Sequence, residues 1–576
     1  MAFDGFTTKK VILELKKVLI GSKVNKVYQP NKQEIVLGLY NDGVNYLLNI
    51  STNPEFCRIN LTKHQKPNPQ TALNFCMLLR KYLTGAKIVD ISNYDLERTI
   101  EIKFEAYNEL NDLVLRRIYI EIMSRQSNII LANENNMIID TLRHMDNTRD
   151  LLPAHEYTFA PINKKSFIDI SFDDFLKLKS EYTETNLMSA FFINTFIGFS
   201  KPFLSEVLAK LNISNTDYNE KDLELVFNYI KNIINQLDTE KVFCKKLNDK
   251  EYTIIYDESF ENKDDNDPDN MITVNSFLDE FYYEKETTTF FTNSRNSLLK
   301  IVSAYLKKVS KKLDNINAKL KECENMDQYR LNGELLTANL YRFDNTANLQ
   351  EVVVNNYYDE NKEITIKLDP SISVQKNVEK FYKKYNKLKN TLEIVTKQKS
   401  DAIKELDYIE SIVFNLSNAK NLNDINEIYE EIAENVSTKR VISKQKINIQ
   451  RQKKQKLTAQ IKLEAVIIDG FTVLIGKNNI QNDYLTLKLS RANDVWFHAQ
   501  KLHGSHVLLR NPDGLDLDEI PENVLFNCAK LAKENSKGAT SLNVPVDYCF
   551  VRNVKKAQGA KPGMVNYTNF RTIIVK

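Results

Sequence analysis

Apolar residues recur in alternating steps of three and four along two stretches of this chain, and this spacing constrains its fold most. The first stretch runs from Leu299 to Leu320 and the second from Val378 to Leu416. Such steps place one apolar stripe along a helix, which is the seam of a coiled coil. Because strand-like runs lie between the stretches, we predict a long antiparallel coiled-coil hairpin at about 289–460 with a small insert at its tip, about 323–372. A seam between two copies of the chain is the alternative.

The distribution of glycine separates the ends of the chain from its middle. Seven of the fourteen glycines follow residue 469, whereas only Gly198 and Gly333 lie between Ala86 and Asp469. Turn-rich ends and a helical middle indicate an α+β multidomain protein. The domains that we predict, besides the hairpin, are a mixed α/β domain at 1–165, a helical region resembling a helix-hairpin-helix with an acidic loop at 166–288, and an α/β domain at 461–576.

Local patterns predict single elements within these domains. Asn41-Asp42-Gly43 lies between two alternating runs and favours a hairpin turn. The run from Leu73 to Leu83 predicts a helix that ends before Gly85. Gly198 and Pro202 predict the end of one helix and the first turn of the next. The elements that we predict for the last domain include a strand at 484–489 and a helix at about 522–535.

Composition and missing motifs exclude several classes of protein. No window approaches 18 uncharged apolar residues, and the first residues lack a basic segment followed by an apolar one, so we expect neither a membrane helix nor a secretory signal. Six cysteines without a Cys-x-x-Cys pair favour a reducing compartment, and hence a cytoplasmic location. Phosphate-binding loops, nucleophile elbows and zinc-protease motifs are absent from the sequence. We therefore predict no catalytic residue, no metal and no cofactor.

Basic residues concentrate in two runs that contain no acid. Nine Lys or Arg lie between Lys439 and Leu463, and six lie between Val551 and Lys576. Segregated positive charge indicates a polyanionic partner such as RNA. A solvated helix face is the alternative for the first run.

Histidines cluster around the segment that contains the single tryptophan. His498, His503 and His506 are three of the six histidines and fall within nine residues. They are compatible with a metal site, with a structural turn at Gly504, or with RNA contacts in which rings stack on bases. Trp496 is either part of that RNA surface or a core anchor of its strand.

Three further basic residues are candidates for phosphate contacts. Lys561 lies in a loop whose shape is fixed by two glycines and a proline, which suits a phosphate but also an ordinary hairpin turn. Arg98, which follows Glu97, and Arg125 precede strands of the first domain. They either bind phosphate or form solvated pairs of little consequence.

Ten short segments, spread in order over essentially the whole chain, carry a resemblance to a known family. The segments are Phe3–Gly5, Arg58–Thr62, Phe75–Lys81, Ser127–Leu131, Asn332–Asn339, Leu368–Pro370, Asp494–His498, Gly504–Val507, Val546–Tyr548 and Gly559–Val565. Together they resemble the NFACT family of ribosome quality-control proteins, some of which are also labelled fibronectin-binding proteins. The first four segments resemble its NFACT-N domain, and the last four its RNA-binding NFACT-R domain.

The resemblance implies an adaptor that is not an enzyme and acts as a monomer on the ribosome, away from membranes. Such proteins bind a large ribosomal subunit obstructed by peptidyl-tRNA. They recruit charged tRNA, alanyl-tRNA in bacteria, for template-free C-terminal tailing that marks the stalled chain for degradation. Glu97-Arg98 stands where the family has an Asp-Arg pair that engages tRNA. The RNA contacts that we predict are Glu97, Arg98, Arg125, Trp496, His498, Ser505, His506 and Lys561.

Two other functions remain as alternatives. The first domain is distantly similar to DNA glycosylases that use an N-terminal proline amine, but position 2 is alanine here. Cleavage of damaged DNA would favour this reading. A fibronectin-binding surface adhesin is the second alternative, and fractionation that places the protein outside the cell would favour it.

Overall fold

The computed structural model describes residues 3–69, 71–146, 149–258, 273–343, 349–435, 461 and 463–576. The acidic stretch 261–269 and most of the basic run 439–463 lie outside these residues. The chain divides into two compact units, Met1–Thr289 and Phe290–Lys576. Among the described helices, none is both long and apolar enough to span a bilayer.

The first unit is built on a nine-stranded antiparallel sheet in the order β4-β3-β2-β1-β5-β6-β7-β8-β9. Its strands are β1 Lys23–Asn31, β2 Glu34–Asn41, β3 Val44–Ser51, β4 Arg58–Leu61, β5 Lys87–Asn93, β6 Thr99–Tyr107, β7 Leu113–Glu121, β8 Asn128–Ala132 and β9 Ile138–Thr141. The predicted hairpin turn joins β2 to β3, where Asp42 and Gly43 both adopt positive φ. Helix α1, Gly5–Leu19, and helix α2, Asn74–Leu83, lie against this sheet, so the predicted 73–83 helix is confirmed.

Close backbone contact fixes the start of α1 beside the helical region. Asp4 caps the helix by accepting a 2.9 Å hydrogen bond from the Thr7 amide. The Gly5 amide donates to the Gly198 carbonyl at 2.9 Å. A Cβ on Gly5 would lie 2.1 Å from the Leu96 carbonyl oxygen, and one on Gly198 would lie 2.5 Å from the Leu96 side chain. Both positions therefore require glycine, and the contact holds the residues after Leu96 next to the helices.

Four helices and a two-stranded hairpin follow the sheet. They are α3 Phe172–Glu181, α4 Met188–Thr195, α5 Lys201–Leu211, α6 Glu220–Asn235, β10 Val242–Lys246 and β11 Tyr252–Tyr256. Phenylalanine rings fill the core between these helices, with Phe167 and Phe175 each contacting several others. Gly198 has φ +87° between α4 and α5, and Pro202 lies in the first turn of α5, as the sequence predicts.

Helix α7, Val274–Cys323, has its first residues in the first unit and the rest in the second. In the first unit, buried Arg58 pairs with Glu286 at 2.6 Å. The Leu61 amide donates to Asn275 Oδ1 at 3.1 Å, so two residues of β4 hold the start of this helix. The family segment Arg58–Thr62 thus has a structural role.

Helix α9, Val374–Asn418, packs along the part of α7 that belongs to the second unit. The Tyr305 hydroxyl donates to Glu405 at 2.5 Å, and the Cys323 thiol to the Leu388 carbonyl at 3.6 Å. Later residues of α7 thus meet earlier residues of α9, so the two helices run antiparallel. The expected long helical region is confirmed. Between them lie α8 Met326–Ala338 and the strands β12 Glu351–Asn356 and β13 Lys362–Lys367, and after them α10 Leu422–Asn435.

The end of the chain forms a six-stranded antiparallel sheet in the order β14-β15-β17-β16-β18-β21. Its strands are β14 Glu464–Ile468, β15 Phe471–Ile475, β16 Val495–Ala499, β17 Val507–Leu509, β18 Val544–Phe550 and β21 Arg571–Val575, with a separate pair β19 Val554–Lys555 and β20 Asn566–Tyr567. Helix α12, Glu522–Glu534, confirms the predicted helix at about 522–535 and packs on the sheet.

The predicted strand at 484–489 is wrong. This segment continues helix α11, Asn479–Tyr484, and forms a π-helical turn at Leu485–Leu489. Asn478 starts the helix because its side chain accepts from the Gln481 amide at 2.9 Å. Leu485 and Thr486 are both buried, so consecutive residues point inward, which a period-two strand does not allow.

Candidate nucleic-acid interface

Glu97 and Arg98 lie in the loop between β5 and β6, and this loop is held rigidly. The Asn93 side-chain amide donates to the carbonyls of Asp95 and Glu97 at 3.1 and 2.9 Å. The Arg98 carbonyl accepts a hydrogen bond from the Ile122 amide at 3.0 Å, and the Arg98 amide donates to Glu97 Oε2 at 3.2 Å. The pair is therefore presented by a fixed backbone between the end of β5 and the start of β6.

A cavity of about 560 Å³ opens beside this pair, and we call it the Glu97–Arg98 cavity. Its polar lining consists of Asp4, Glu97, Arg98, Asn163, Lys164, Ser200 and Lys201. Burial lowers the pKa of Lys164, and the charge of Arg98 lowers it further, because the two cations face the same space. Burial raises the pKa of Asp4 although the Ser200 hydroxyl donates to it at 2.7 Å. Positive charge thus converges on one opening, as a site for phosphate requires.

Arg125 lies outside the lining of that cavity. It occupies a single 3₁₀ turn, Ser124–Gln126, with an exposed side chain, and its carbonyl accepts from Arg143 at 3.1 Å. The sequence placed Arg125 with Glu97 and Arg98, but the structure does not bring it into their cavity. Its predicted contact with RNA stays a prediction.

A larger cavity, of about 1000 Å³, lies in the second unit, and we call it the histidine pocket. Strand β16 and the loop 557–567 form one side of it, and α9 forms the other. Its lining includes Asp401, Lys404, Glu405, Asp407, Tyr408, Asn479, Trp496, His498, Lys501, His503, His506, Lys561 and Tyr567. The three histidines and Lys561 therefore converge, although 63 residues separate His498 from Lys561 along the sequence.

Trp496 is the core anchor of its strand. Its side chain is completely buried, and its ring lies 5.6 Å from His498, 5.1 Å from His506 and 4.9 Å from Tyr567 between centroids. A base cannot stack on a ring enclosed in this way, so the expected stacking on Trp496 is wrong for this conformation. The indole Nε1–H has no hydrogen-bond acceptor within the described residues.

The two inner histidines are neutral. Burial lowers the pKa of His498 to about 4, and burial and the nearby His498 hold the pKa of His506 well below its usual range. His506 Nδ1 shares a 2.7 Å hydrogen bond with the Thr486 hydroxyl. His498 is half-buried and faces the pocket, whereas His506 and Ser505 are buried. At neutral pH these side chains can recognise a polar neutral group but cannot supply positive charge to a phosphate.

His503 lies at the margin of the pocket and faces α9. Its Nε2 is 3.6 Å from Asp407 and 3.5 Å from Glu410. The metal alternative finds no support where the chain is described, because no three His, Cys, Asp or Glu side chains there are arranged to hold an ion.

Lys561 lies on the exposed loop that borders the pocket. Its Nζ donates to the Asn435 carbonyl at 2.9 Å and lies 5.7 Å from the centre of the Tyr408 ring. Gly563 has φ +77°, and its amide donates to Asp483 at 2.9 Å. The loop therefore has a defined shape, and the ammonium group stays exposed.

Sequence reasoning missed Lys164, Lys201, Asn479 and the residues of α9. Lys201 directly follows the cap residue Ser200, at the start of a helix that the glycine and proline pattern predicts. The sequence around Lys164 and around Asn479 contains no motif that indicates a site. Each residue reaches its cavity only through the tertiary packing of the chain.

Two family models match this chain over nearly all of its length. The NFACT N-terminal and middle domains match residues 4–456, and the NFACT protein RNA binding domain matches residues 465–569. The chain belongs to the NFACT family. The histidine pocket therefore contains residues of the segment that matches the RNA-binding domain.

Relatives of known name resemble the chain from end to end. It is 33% identical to the Rqc2 homolog RqcH of Bacillus subtilis and 32% identical to that of Streptococcus suis, each over 100% of this chain and 98% of the relative. The solved N-terminal part of the fibronectin/fibrinogen-binding protein of S. suis shares 26% identity, covers 49% of this chain and 99% of that one, and gives a TM-score of 0.39. The family and the RqcH relatives support a role in RNA binding and ribosome quality control.

Proposed function

We propose that this NFACT-family protein is an adaptor that binds the obstructed large ribosomal subunit with its peptidyl-tRNA and recruits charged tRNA, namely alanyl-tRNA. The tRNA serves template-free C-terminal tailing of the stalled chain, which marks it for degradation. In this proposal the ribosome forms each peptide bond, and the adaptor selects and positions tRNA without catalysing a reaction itself.

The observation that carries this proposal is the convergence of Arg98, Lys164 and Lys201 on one cavity beside Glu97. Three cations on a rigid frame can contact successive phosphates of a folded RNA. The carboxylate of Glu97 would repel a phosphate, but it can accept hydrogen bonds from ribose hydroxyls or base amino groups. A cation cluster with a carboxylate beside it therefore suits RNA better than a simple anion.

Purification from cells tests the proposal directly. A pull-down of the intact chain should enrich large-subunit RNA over small-subunit RNA and should contain tRNA whose sequence identifies the amino acid. Equal recovery of both subunits, or the absence of tRNA, would contradict it. Sequencing that finds tRNAs without preference for alanine would contradict the alanyl assignment alone.

Variants of the pair separate tRNA recruitment from subunit binding. Changing both Glu97→Ala and Arg98→Ala should abolish tailing and tRNA recovery while large-subunit recovery stays unchanged. Glu97→Asp, which shortens the acid by one methylene and keeps its charge, is the matched control and should retain tailing. If the double change removes subunit binding as well, the pair has a structural role only.

A further inference from the structure

The histidine pocket differs from an ordinary phosphate site because its interior is neutral. His498 and His506 are uncharged at neutral pH, and the rings of Trp496 and Tyr567 complete the inner wall. The carboxylates of Asp401, Glu405 and Asp407 border the side formed by α9. Lys404 is the cation that α9 adds to the lining, and three carboxylates of the same helix outnumber it, so the interior favours an uncharged, flat, polar group over a phosphate.

One polar group of the pocket lacks a partner. The Trp496 Nε1–H is buried and has no acceptor in the described parts of the chain, although buried indole N–H groups usually have one. His498 is half-buried, lines the cavity, and presents an imidazole that both donates and accepts. A ligand with acceptors and donors along one planar edge would complement His498, whose ring centre lies 5.6 Å from that of the enclosed indole.

The exposed cations of the pocket indicate where a phosphate belongs. Lys501 and Lys561 line the pocket with exposed side chains and belong to segments other than α9. The loop that carries Lys561 is held by the contact of Gly563 with Asp483, so its ammonium group stays near the opening. A nucleotide combines the required parts, since its base is flat, neutral and polar and its phosphate is anionic.

We propose that the histidine pocket binds one unpaired nucleotide of an RNA strand, with its base inside against His498 and its phosphate near Lys501 and Lys561. The inference rests on the proposed function, because it specifies how the RNA-binding domain engages its partner. Recognition by a neutral pocket depends on shape and hydrogen bonds, as it does where proteins accept splayed-out bases of single-stranded RNA.

The single tryptophan provides the measurement. We suggest titrating the full-length chain with AMP, GMP, CMP and UMP, with single-stranded pentanucleotides of each base, and with ribose 5-phosphate. At least one nucleotide should change the Trp496 emission saturably, and the matching pentanucleotide should bind at least tenfold more tightly. Ribose 5-phosphate, which lacks a base, should not change the emission. Calorimetry provides a second readout that does not depend on tryptophan.

Variants test whether the binding occurs in this pocket. His498→Leu should weaken the pentanucleotide at least tenfold, and His498→Gln, which keeps hydrogen-bonding groups, should weaken it less. Lys561→Ala should weaken the pentanucleotide several-fold at low salt. His155→Leu, which alters an exposed histidine of the first unit, should have no effect. Circular dichroism and retention of tRNA recovery identify variants that remain folded.

Several results would overturn the inference. They are the absence of binding by both readouts, equal binding of ribose 5-phosphate, equal affinity for a mononucleotide and its pentanucleotide, and a folded His498→Leu variant with unchanged affinity. If no nucleotide binds while tRNA and large-subunit RNA still co-purify, the inference is wrong and the proposed function stands. If nucleotides bind but neither RNA co-purifies, the proposed function is wrong instead.

Discussion

The Glu97–Arg98 cavity is lined by charged side chains, whereas the inner wall of the histidine pocket is neutral. Three cations and two acids line the first, whereas the inner wall of the second consists of neutral imidazoles and aromatic rings. The first therefore suits the backbone of an RNA, whose attraction is long-ranged and sensitive to salt. The second suits the face and edge of a base, whose recognition depends on contact and shape. One chain thus contains candidate sites for positioning an RNA and for gripping one nucleotide.

Loss of the guanidinium should produce the largest effect. Arg98→Ala removes the charge that faces Lys164, and we expect tRNA affinity to fall about tenfold to a hundredfold, which corresponds to about 1.5–3 kcal/mol for a charge-assisted hydrogen bond. Filter binding with purified tRNA measures it. Arg125→Ala is the matched control outside the cavity and should have a smaller effect. An equal loss in both variants would show that charge is spread over the domain and would weaken the contrast between the two sites.

A buried acid beneath the histidine pocket should make stability depend on pH. Glu431 accepts hydrogen bonds from Tyr408 and Asn479, and burial raises its pKa to about 7. The folded state therefore binds more protons than the unfolded state between pH 4.5 and 7, so stability should fall as pH rises through that window. Glu431→Gln should abolish this fall. At pH 8 the free energy of unfolding of the variant should exceed that of the native chain by up to about 3 kcal/mol.

Urea denaturation followed through Trp496 emission at pH 5 and pH 8 measures that difference. Glu363→Gln, at an exposed position on β13, is the matched control and should keep the pH dependence of the native chain. If the Glu431→Gln variant shows the same pH dependence as the native chain, the acid does not titrate near neutrality. Glu431 would then be charged at neutral pH, next to a pocket whose histidines are neutral.

Substitution by alanine should destabilise the protein to different extents at the two glycines of the Lys561 loop. Gly559 and Gly563 have φ of +75° and +77°, so alanine at either position costs about 1–2 kcal/mol of backbone strain. A Cβ on Gly563 would also lie 2.6 Å from Asn479 Oδ1, whereas one on Gly559 would meet nothing within 4 Å. We expect Gly563→Ala to lower the free energy of unfolding by about 1 kcal/mol more. Equal losses in urea denaturation would mean that the loop moves away from Asn479 without cost.

The smallest effect should be a change in salt dependence. Lys201→Ala should reduce the slope of log affinity for tRNA against log salt by about 1, because one phosphate contact is lost. Lys530→Ala, at an exposed position on α12 away from both cavities, should leave that slope unchanged. Binding of a nucleotide in the histidine pocket should depend on salt much less. Strong salt dependence there would indicate that phosphate, rather than the base, dominates its affinity.

Periodicity predicted the long helices because a repeated apolar stripe must be buried over its whole length. Leu299 to Leu320 and Val378 to Leu416 are long enough for the pattern to exclude strands. The prediction of a strand at 484–489 was wrong because six alternating residues fit both a strand and a helix that is buried on one side. Asn478 was a signal for the helix, since asparagine is a strong helix cap.

The sequence by itself determined the family, the order of the elements and most of the residues worth testing, because short motifs and local periodicity survive without tertiary contacts. Only the tertiary structure decided that Trp496 is enclosed, that His498 and His506 are neutral, and that Lys164 and Lys201 join Arg98 while Arg125 does not. Burial, pKa and convergence depend on which distant segments pack together, and that packing is a property of the whole fold rather than of any stretch of residues.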